Sequence, residues 1–357
     1  MLRIKRILFR VITFFFLCLF LSNCDDDNPT KSVKSTDYVI YFYDTGYDQY
    51  LAYHTASGMI DTVSIPYAPN KEFAVSADGQ ILYIPSGDIV AVIDANTLET
   101  ITELPYPAGE VAVSPDGQKI ALLGGYLYIL NTSDYSCIYA DSNLGRVDNG
   151  IFSNDSKTFY FSTRTSHLNY LSLNGTVELT REIISTPNNK FTVWSVIPSS
   201  SSNKLYLYLK HYEEEYLFSF SVYDKVLDSI IFSDSLIPGE GNIALTNDEK
   251  YLVYTNPGRN DFTYPDPPFT FKIFNTGTLQ IEDEISTILT SKKNDTIYFS
   301  VNHICLTPDN KLLLGTGLLE DDEVVICNLR KKEIVQTLSL GGYRYLKRPT
   351  CQLQLKE

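Results

Sequence analysis

The chain of 357 residues lacks the short motifs around which most catalytic sites are built. It has no P-loop, no G-x-S-x-G turn, no H-E-x-x-H pair, no C-x-x-C pair and no C-x-x-C-H haem site. Its four histidines, at positions 54, 167, 211 and 303, are too scattered to build a zinc centre by spacing. Positive charge is also short. Against 43 Asp and Glu stand 29 Lys and Arg, a formal net charge of −14. Such a polyanion repels phosphate backbones, which excludes nucleic acid as a broad partner. No long helical period runs through the sequence, and the apolar run Val11–Leu21 is too short to span a bilayer.

What is present is a repeat. Ala74–Ile84 reads AVSADGQILYI and Ala112–Leu122 reads AVSPDGQKIAL. Degenerate copies start at Ile151, Val196, Ala244 and Cys305. Each is an apolar strand, a tight polar turn and a second apolar strand, and a period of about 40 residues is the signature of a β-propeller. Tyr, Phe, Val, Ile and Thr dominate these segments, as pleated sheets packed face to face require. In the turn, Pro presets φ, Asp caps the backbone and Gly accepts a positive φ. Asp78 and Asp116 are therefore turn devices.

Aligning the copies on the residue before the turn gives Ser76, Ser114, Ser153, Pro198, Thr246 and Thr307, with Thr350 as a further match. The segment CQLQL after Thr350 supplies one last strand, and Tyr38–Tyr67 supplies strands without a preceding copy of the phrase. Pairing the two ends of the chain removes the free edges that a half-built blade exposes. The expectation is all-β: a seven-bladed β-propeller over residues 37–357, its C-terminal strand closing the first blade, with six or eight blades as open alternatives. The segment IVAVIDANTLETITELP from Ile89, followed by GEVAVSPDGQKIALL from Gly109, resembles the YVTN (YncE-like) propeller repeat. The close match covers roughly residues 73–131, about two blades of a repeat of this kind. That resemblance implies a fold, since functions differ among members.

The N-terminus carries an address. Arg3, Lys5, Arg6 and Arg10 precede the apolar run, so residues 1–23 read as a signal peptide. Leu21-Ser22-Asn23-Cys24 resembles a lipobox, which implies acylation of Cys24 and a membrane partner through that lipid. Residues 24–36, DDDNPTKSVKST after the cysteine, read as a flexible acidic tether. Acidic residues in this place resemble the surface-export signal of Bacteroidetes lipoproteins, although a solvated spacer looks the same. The expected location is the cell envelope, anchored in the outer membrane and facing either the periplasm or the exterior. Of the six cysteines, Cys137, Cys305, Cys327 and Cys351 remain in the propeller, where their positions suggest buried free thiols rather than a staple.

Two places invite chemistry. The first strand of each propeller blade lines the central channel, and the loops entering those strands form one rim. Four residues before each aligned turn residue lie Glu72, Glu110, Asn149, Trp194, Asn242, His303 and Leu346, with Lys71, Asp148 and Asn302 beside them. Convergence of Glu72, Glu110, Asp148, Asn149, Asn242 and His303 suits Ca²⁺ or another divalent cation, as in a lactonase-like hydrolase. The plainer reading is that polar residues flank strand starts at a hydrated channel. The second place is the loop Pro257–Pro268, PGRNDFTYPDPP, where an ordinary connection is about four residues. Arg259, Asp261, Phe262 and Tyr264 on this proline-stiffened loop, with Trp194 on the same rim, form a candidate surface for a protein or glycan. A binding platform without a cofactor is the expectation, and the metal-dependent hydrolase its alternative.

Overall fold

The chain divides into two units, Met1–Thr36 and Asp37–Glu357. The computed structural model describes residues 37–44, 49–69, 72–163, 167–175, 177–183, 191–211, 217–234, 237–238, 242–256, 270–286, 288–290, 296–298, 301–307, 309–317, 323–339 and 350–354. The expected signal peptide (1–23), Cys24 and the expected tether (24–36) lie outside these residues.

All regular structure among the described residues is β. β1 (Asp37–Asp44), β2 (Gln49–His54) and β3 (Met59–Val63) form one meander, followed by β4 (Ala74–Val75), β5 (Ile81–Ser86), β6 (Ile89–Asp94) and β7 (Thr100–Leu104). The next sheet holds β8 (Glu110–Val113), β9 (Lys119–Leu123), β10 (Leu127–Asn131) and β11 (Cys137–Asp141). After it come β12 (Asp148–Phe152), β13 (Thr158–Ser162), β14 (His167–Ser172) and β15 (Glu178–Ile183). The central sheet holds β16 (Phe191–Pro198), β17 (Lys204–His211) and β18 (Leu217–Asp224), each as long as β1, with β19 (Ser229–Ser233) and β20 (Ile237–Pro238) beside them. Then follow β21 (Ile243–Leu245), β22 (Tyr251–Asn256), β23 (Thr270–Asn275) and β24 (Gln280–Ser286), and the ribbon of β25 (Ile288–Thr290) and β26 (Thr296–Tyr298). Last are β27 (Val301–Leu306), β28 (Leu312–Gly317), β29 (Glu323–Asn328), β30 (Glu333–Ser339) and β31 (Thr350–Gln354).

The sheets are antiparallel blades of a β-propeller. The expectation of a seven-bladed propeller is corrected to six regular four-stranded blades; the sheet of β16–β19 is five-stranded through β20, and β25–β26 stand apart as a pair. The cause of the departure is strand length. β18 is longer than β19, so the backbone of Leu217 and Phe218 lies beyond it, and β20 pairs there. The closure is formed by β31, which pairs antiparallel with β1 from Asp37–Gln354 to Tyr41–Thr350.

Apolar strands bury their two faces against neighbouring blades, which is why their middles read as continuous Val, Ile, Leu, Tyr and Phe. Leu82–Ile84, Val90–Ile93, Ile120–Leu123 and Leu205–Leu209 are buried throughout. Each core cluster joins consecutive blades; Phe220, for example, stacks on Tyr254 at 4.6 Å and meets Phe274 edge-on at 5.0 Å. Ile40, Phe42, Leu51 and Tyr53 pack on Ile326, so the first and last blades share a core, while the β1–β31 ladder completes the first blade's own sheet. Cys137, Cys305 and Cys327 are free thiols. Cys327 is the buried apolar residue expected, its thiol pushed up to about 12 by burial, whereas Cys137 is exposed.

The recurrent turn works as its residues dictate. The Ser76 hydroxyl donates to Asp78 at 2.6 Å, and the same bond recurs at Ser114–Asp116, Ser153–Asp155, Thr246–Asp248 and Thr307–Asp309. The residue after each of these aspartates has positive φ: Gly79, Gly117, Ser156, Glu249 and Asn310. Where glycine gives way, the new side chain reaches the preceding turn. Ser156 Oγ accepts the Asp116 amide at 3.1 Å, and Asn310 Oδ1 accepts the Asn247 amide at 3.0 Å. Glu249 goes furthest. Its carboxylate accepts Ser199 Oγ at 2.8 Å, the Ser200 amide at 2.6 Å, the Ser201 amide at 3.1 Å, Ser201 Oγ at 2.6 Å and Asn154 Nδ2 at 3.1 Å. The Ser200 hydroxyl joins them. Burial pushes this carboxyl up, but the serine donors outweigh it and hold it at about 2. The turn of β16–β17 thus begins at Ser199, whose amide bonds Lys204 O as Ser76 bonds Ile81 O. The sequence alignment on Pro198 is one residue early.

Candidate functional site

The inner strands place the polar positions at the channel mouth in consecutive order. β4 contacts β8, β8 contacts β12, β12 contacts β16, β16 contacts β21 and β21 contacts β27. In each of these hairpins the mouth position lies at one offset from the turn: Glu110 pairs Leu123, Asp148 pairs Ser162, Ser195 pairs Tyr208 and His303 pairs Thr316. Asn242 occupies the same place, its carbonyl accepting the Thr255 amide at 3.0 Å. The bulge in β12, and the β16–β17 turn beginning at Ser199 rather than Pro198, each shift the sequence reading by one residue. Asp148 takes the place assigned to Asn149, and Ser195 the place assigned to Trp194.

At this mouth the glutamates join blades. Glu72 and Glu110 form a parallel bridge in which the Glu72 amide donates to Gly109 O at 3.0 Å. The buried Glu110 side chain accepts the Asn149 amide at 2.8 Å, tying the β8 blade to the β12 blade at a residue with φ of 50°. Asp148, also buried, receives Arg146 Nε at 3.2 Å. Asn242 Oδ1 accepts the amide of Ile243 at 2.8 Å, and Thr255 Oγ1 accepts the amide of Asn242 at 2.8 Å. These bonds satisfy buried polar groups where inner strands converge. Among the described residues no group of three His, Cys, Asp or Glu side chains stands close enough to hold a metal ion. The side chains of His303 and Asn302 lie outside the described residues, as do Lys71 and Leu346.

Trp194 leaves the ring and enters an aromatic group. Its ring meets Phe218 edge-on at 5.6 Å, and Lys210 Nζ lies 5.2 Å above it. A second group sits at the loops of the β8 blade, where exposed Tyr126 stacks on Tyr128 at 5.8 Å and Tyr106 leans on Tyr128 at 4.9 Å. Burial and the neighbouring phenols raise the Tyr128 hydroxyl above its ordinary range. Sequence reasoning missed Arg146, Ser195 and the tyrosine group. The run GGYLYIL, with a tyrosine directly after a two-glycine loop, was the available signal for the last. Arg259, Asp261, Phe262 and Tyr264 fall outside the described residues.

No family model and no curated protein matches the chain. Solved structures do. Hydrazine synthase of Kuenenia stuttgartiensis is similar at 17% identity, over 75% of this chain and 79% of that one, with a TM-score of 0.60. The β-propeller domain of Cps50 (Swd1) from Myceliophteria thermophila is similar at 12% identity, over 78% and 89%, with a TM-score of 0.61. The dihydro-heme d1 dehydrogenase NirN is similar at 15% identity, over 87% and 74%, with a TM-score of 0.53. Likeness at such identities extends to the β-propeller fold and no further.

Proposed function

We propose that the chain is a lipid-anchored, extracytoplasmic β-propeller that binds a protein or glycan through its channel-entry rim. The basic signal, the lipobox-like LSNC ending at Cys24 and the acidic tether support the anchor, and the resemblance of residues 73–131 to the YVTN repeat supports the scaffold class. The observation that carries the binding reading is the aromatic surface on this rim: Trp194 beneath Lys210, and Tyr126 stacked on Tyr128. Aromatic rings beside a cation supply large contact area at low entropy cost, the build of recognition hot spots. The test is affinity for surface glycans and envelope proteins after Trp194→Ala and Tyr126→Ala. A loss of tenfold or more in either variant with unchanged Tm supports the reading, and unchanged affinity in both overturns it.

A hydrolase working through a divalent cation is the second reading. It is favoured by the equivalent placement of Glu72, Glu110, Asp148, Asn242 and His303 where inner strands enter the channel, with Asn149 adjoining. Stoichiometric metal in the purified protein, with lactone hydrolysis abolished by Glu110→Gln, would favour it over the platform.

A further inference from the structure

In the complete blades the turn between third and fourth strands is tied to the turn between first and second. The Ala95 amide bonds Gln80 O at 2.8 Å, Thr132 bonds Gln118 O at 3.0 Å, and Lys225 bonds Asn203 O at 2.9 Å. The β1–β3 sheet makes the same bond from the Thr55 amide to Tyr38 O at 2.9 Å. The start of β1 therefore stands where a turn stands in other blades. The chain enters the propeller on the turn face, opposite the channel-entry rim, and Asp37 pairs there with Gln354.

One turn on that face breaks its pattern. Three of the third-to-fourth turns begin with an Asp or Asn whose Oδ1 accepts two amides and fixes the tip. Asp94 holds Asn96 and Thr97, Asn275 holds Gly277 and Thr278, and Asp224 holds Val226 and Leu227 at 2.8 and 3.1 Å. In the first two turns the tip is small or polar, and the left-handed residue, Leu98 or Leu279, packs into the core between blades. In the β18–β19 turn the polarity is inverted. Left-handed Asp228 bonds the Tyr223 hydroxyl, and the tip carries Val226 and Leu227, 72% and 65% exposed, beside exposed Lys225. They exceed every other described large apolar residue in exposure.

We infer that the turn face lies against the membrane and that Val226 and Leu227 enter the lipid surface, directing the channel-entry rim away from it. This rests on the proposed anchor at Cys24. From there only residues 25–36 separate the lipid from Asp37, and a chain of that length reaches at most about 40 Å. A short tether holds the face it leaves near the bilayer, where two fixed aliphatic side chains lose water and Lys225 keeps its ammonium among the headgroups.

The chain has one tryptophan, Trp194, a built-in reference remote from the turn face. Full-length lipidated protein is reconstituted into phosphatidylcholine vesicles with brominated acyl chains, as wild type and as Leu227→Trp. The inference expects little quenching of wild type, and at least a twofold fall with a blue shift for the additional emission of Leu227→Trp. Bound, acylated Leu227→Trp without that quenching overturns the membrane-facing tip and leaves the anchor standing. A chain whose intact mass shows no acyl groups, and which does not pellet with vesicles, overturns the anchor and this inference with it.

Discussion

Glu249 shows how one side chain takes over a job that glycine does elsewhere. At φ of 53° it occupies a left-handed site that favours glycine, and its carboxylate gathers the serine run that lacks its own aspartate. Truncation strands several buried donors. Glu249→Ala is expected to lower unfolding free energy by about 2–4 kcal/mol in urea titrations, and Glu249→Gln by less. The folded carboxyl is held at about 2, below its ordinary value of 4.5. Its stabilisation is therefore present above pH 4.5 and is lost as pH falls towards 2. The wild-type advantage over Glu249→Gln should shrink from pH 6 to pH 3 in the same titrations. None of this was legible beforehand, because DEK in TNDEK reads as solvated charge until the neighbouring turn is in place.

At the scale of the element, the hairpins were legible and their bulges were not. Apolar alternation and S-P-D-G chemistry are local, so β4–β5 and β8–β9 follow from the sequence directly. The bulge in β12 depends on packing. Gly150 has no side chain because a Cβ there would lie 2.3 Å from Phe159 Cζ and 2.5 Å from Leu123 Cδ2, both fully buried groups. Gly150→Ala is expected to cost about 1–3 kcal/mol by chemical denaturation, through overpacking rather than backbone strain. The same bulge moves Asp148 into the ring position and frees the Asn149 amide for Glu110. Spacing alone misassigned both, and the serine run hid the true turn at Ser199 in the same way.

For the whole molecule, periodicity carried the propeller and the pairing of chain ends, while blade regularity depended on strand lengths that only the assembled sheet reveals. Closure through β31 joins the two ends of the chain in one sheet. Deletion of residues 350–357 is expected to leave β1 with an open edge, lowering Tm by 10 °C or more, or producing oligomers on size exclusion; a monomer of unchanged Tm would refute this. The central claim is that the channel-entry rim recognises a partner. Its most direct test is photocrosslinking in intact cell envelopes, with a photoreactive residue at Tyr126 or Trp194 on the rim and at Asn96 on the turn face. The account predicts a discrete protein or glycan adduct from the rim positions, competed by excess unlabelled protein and absent from Asn96. Adducts of equal pattern from all three positions, or none from the rim of a folded, acylated chain, would contradict it.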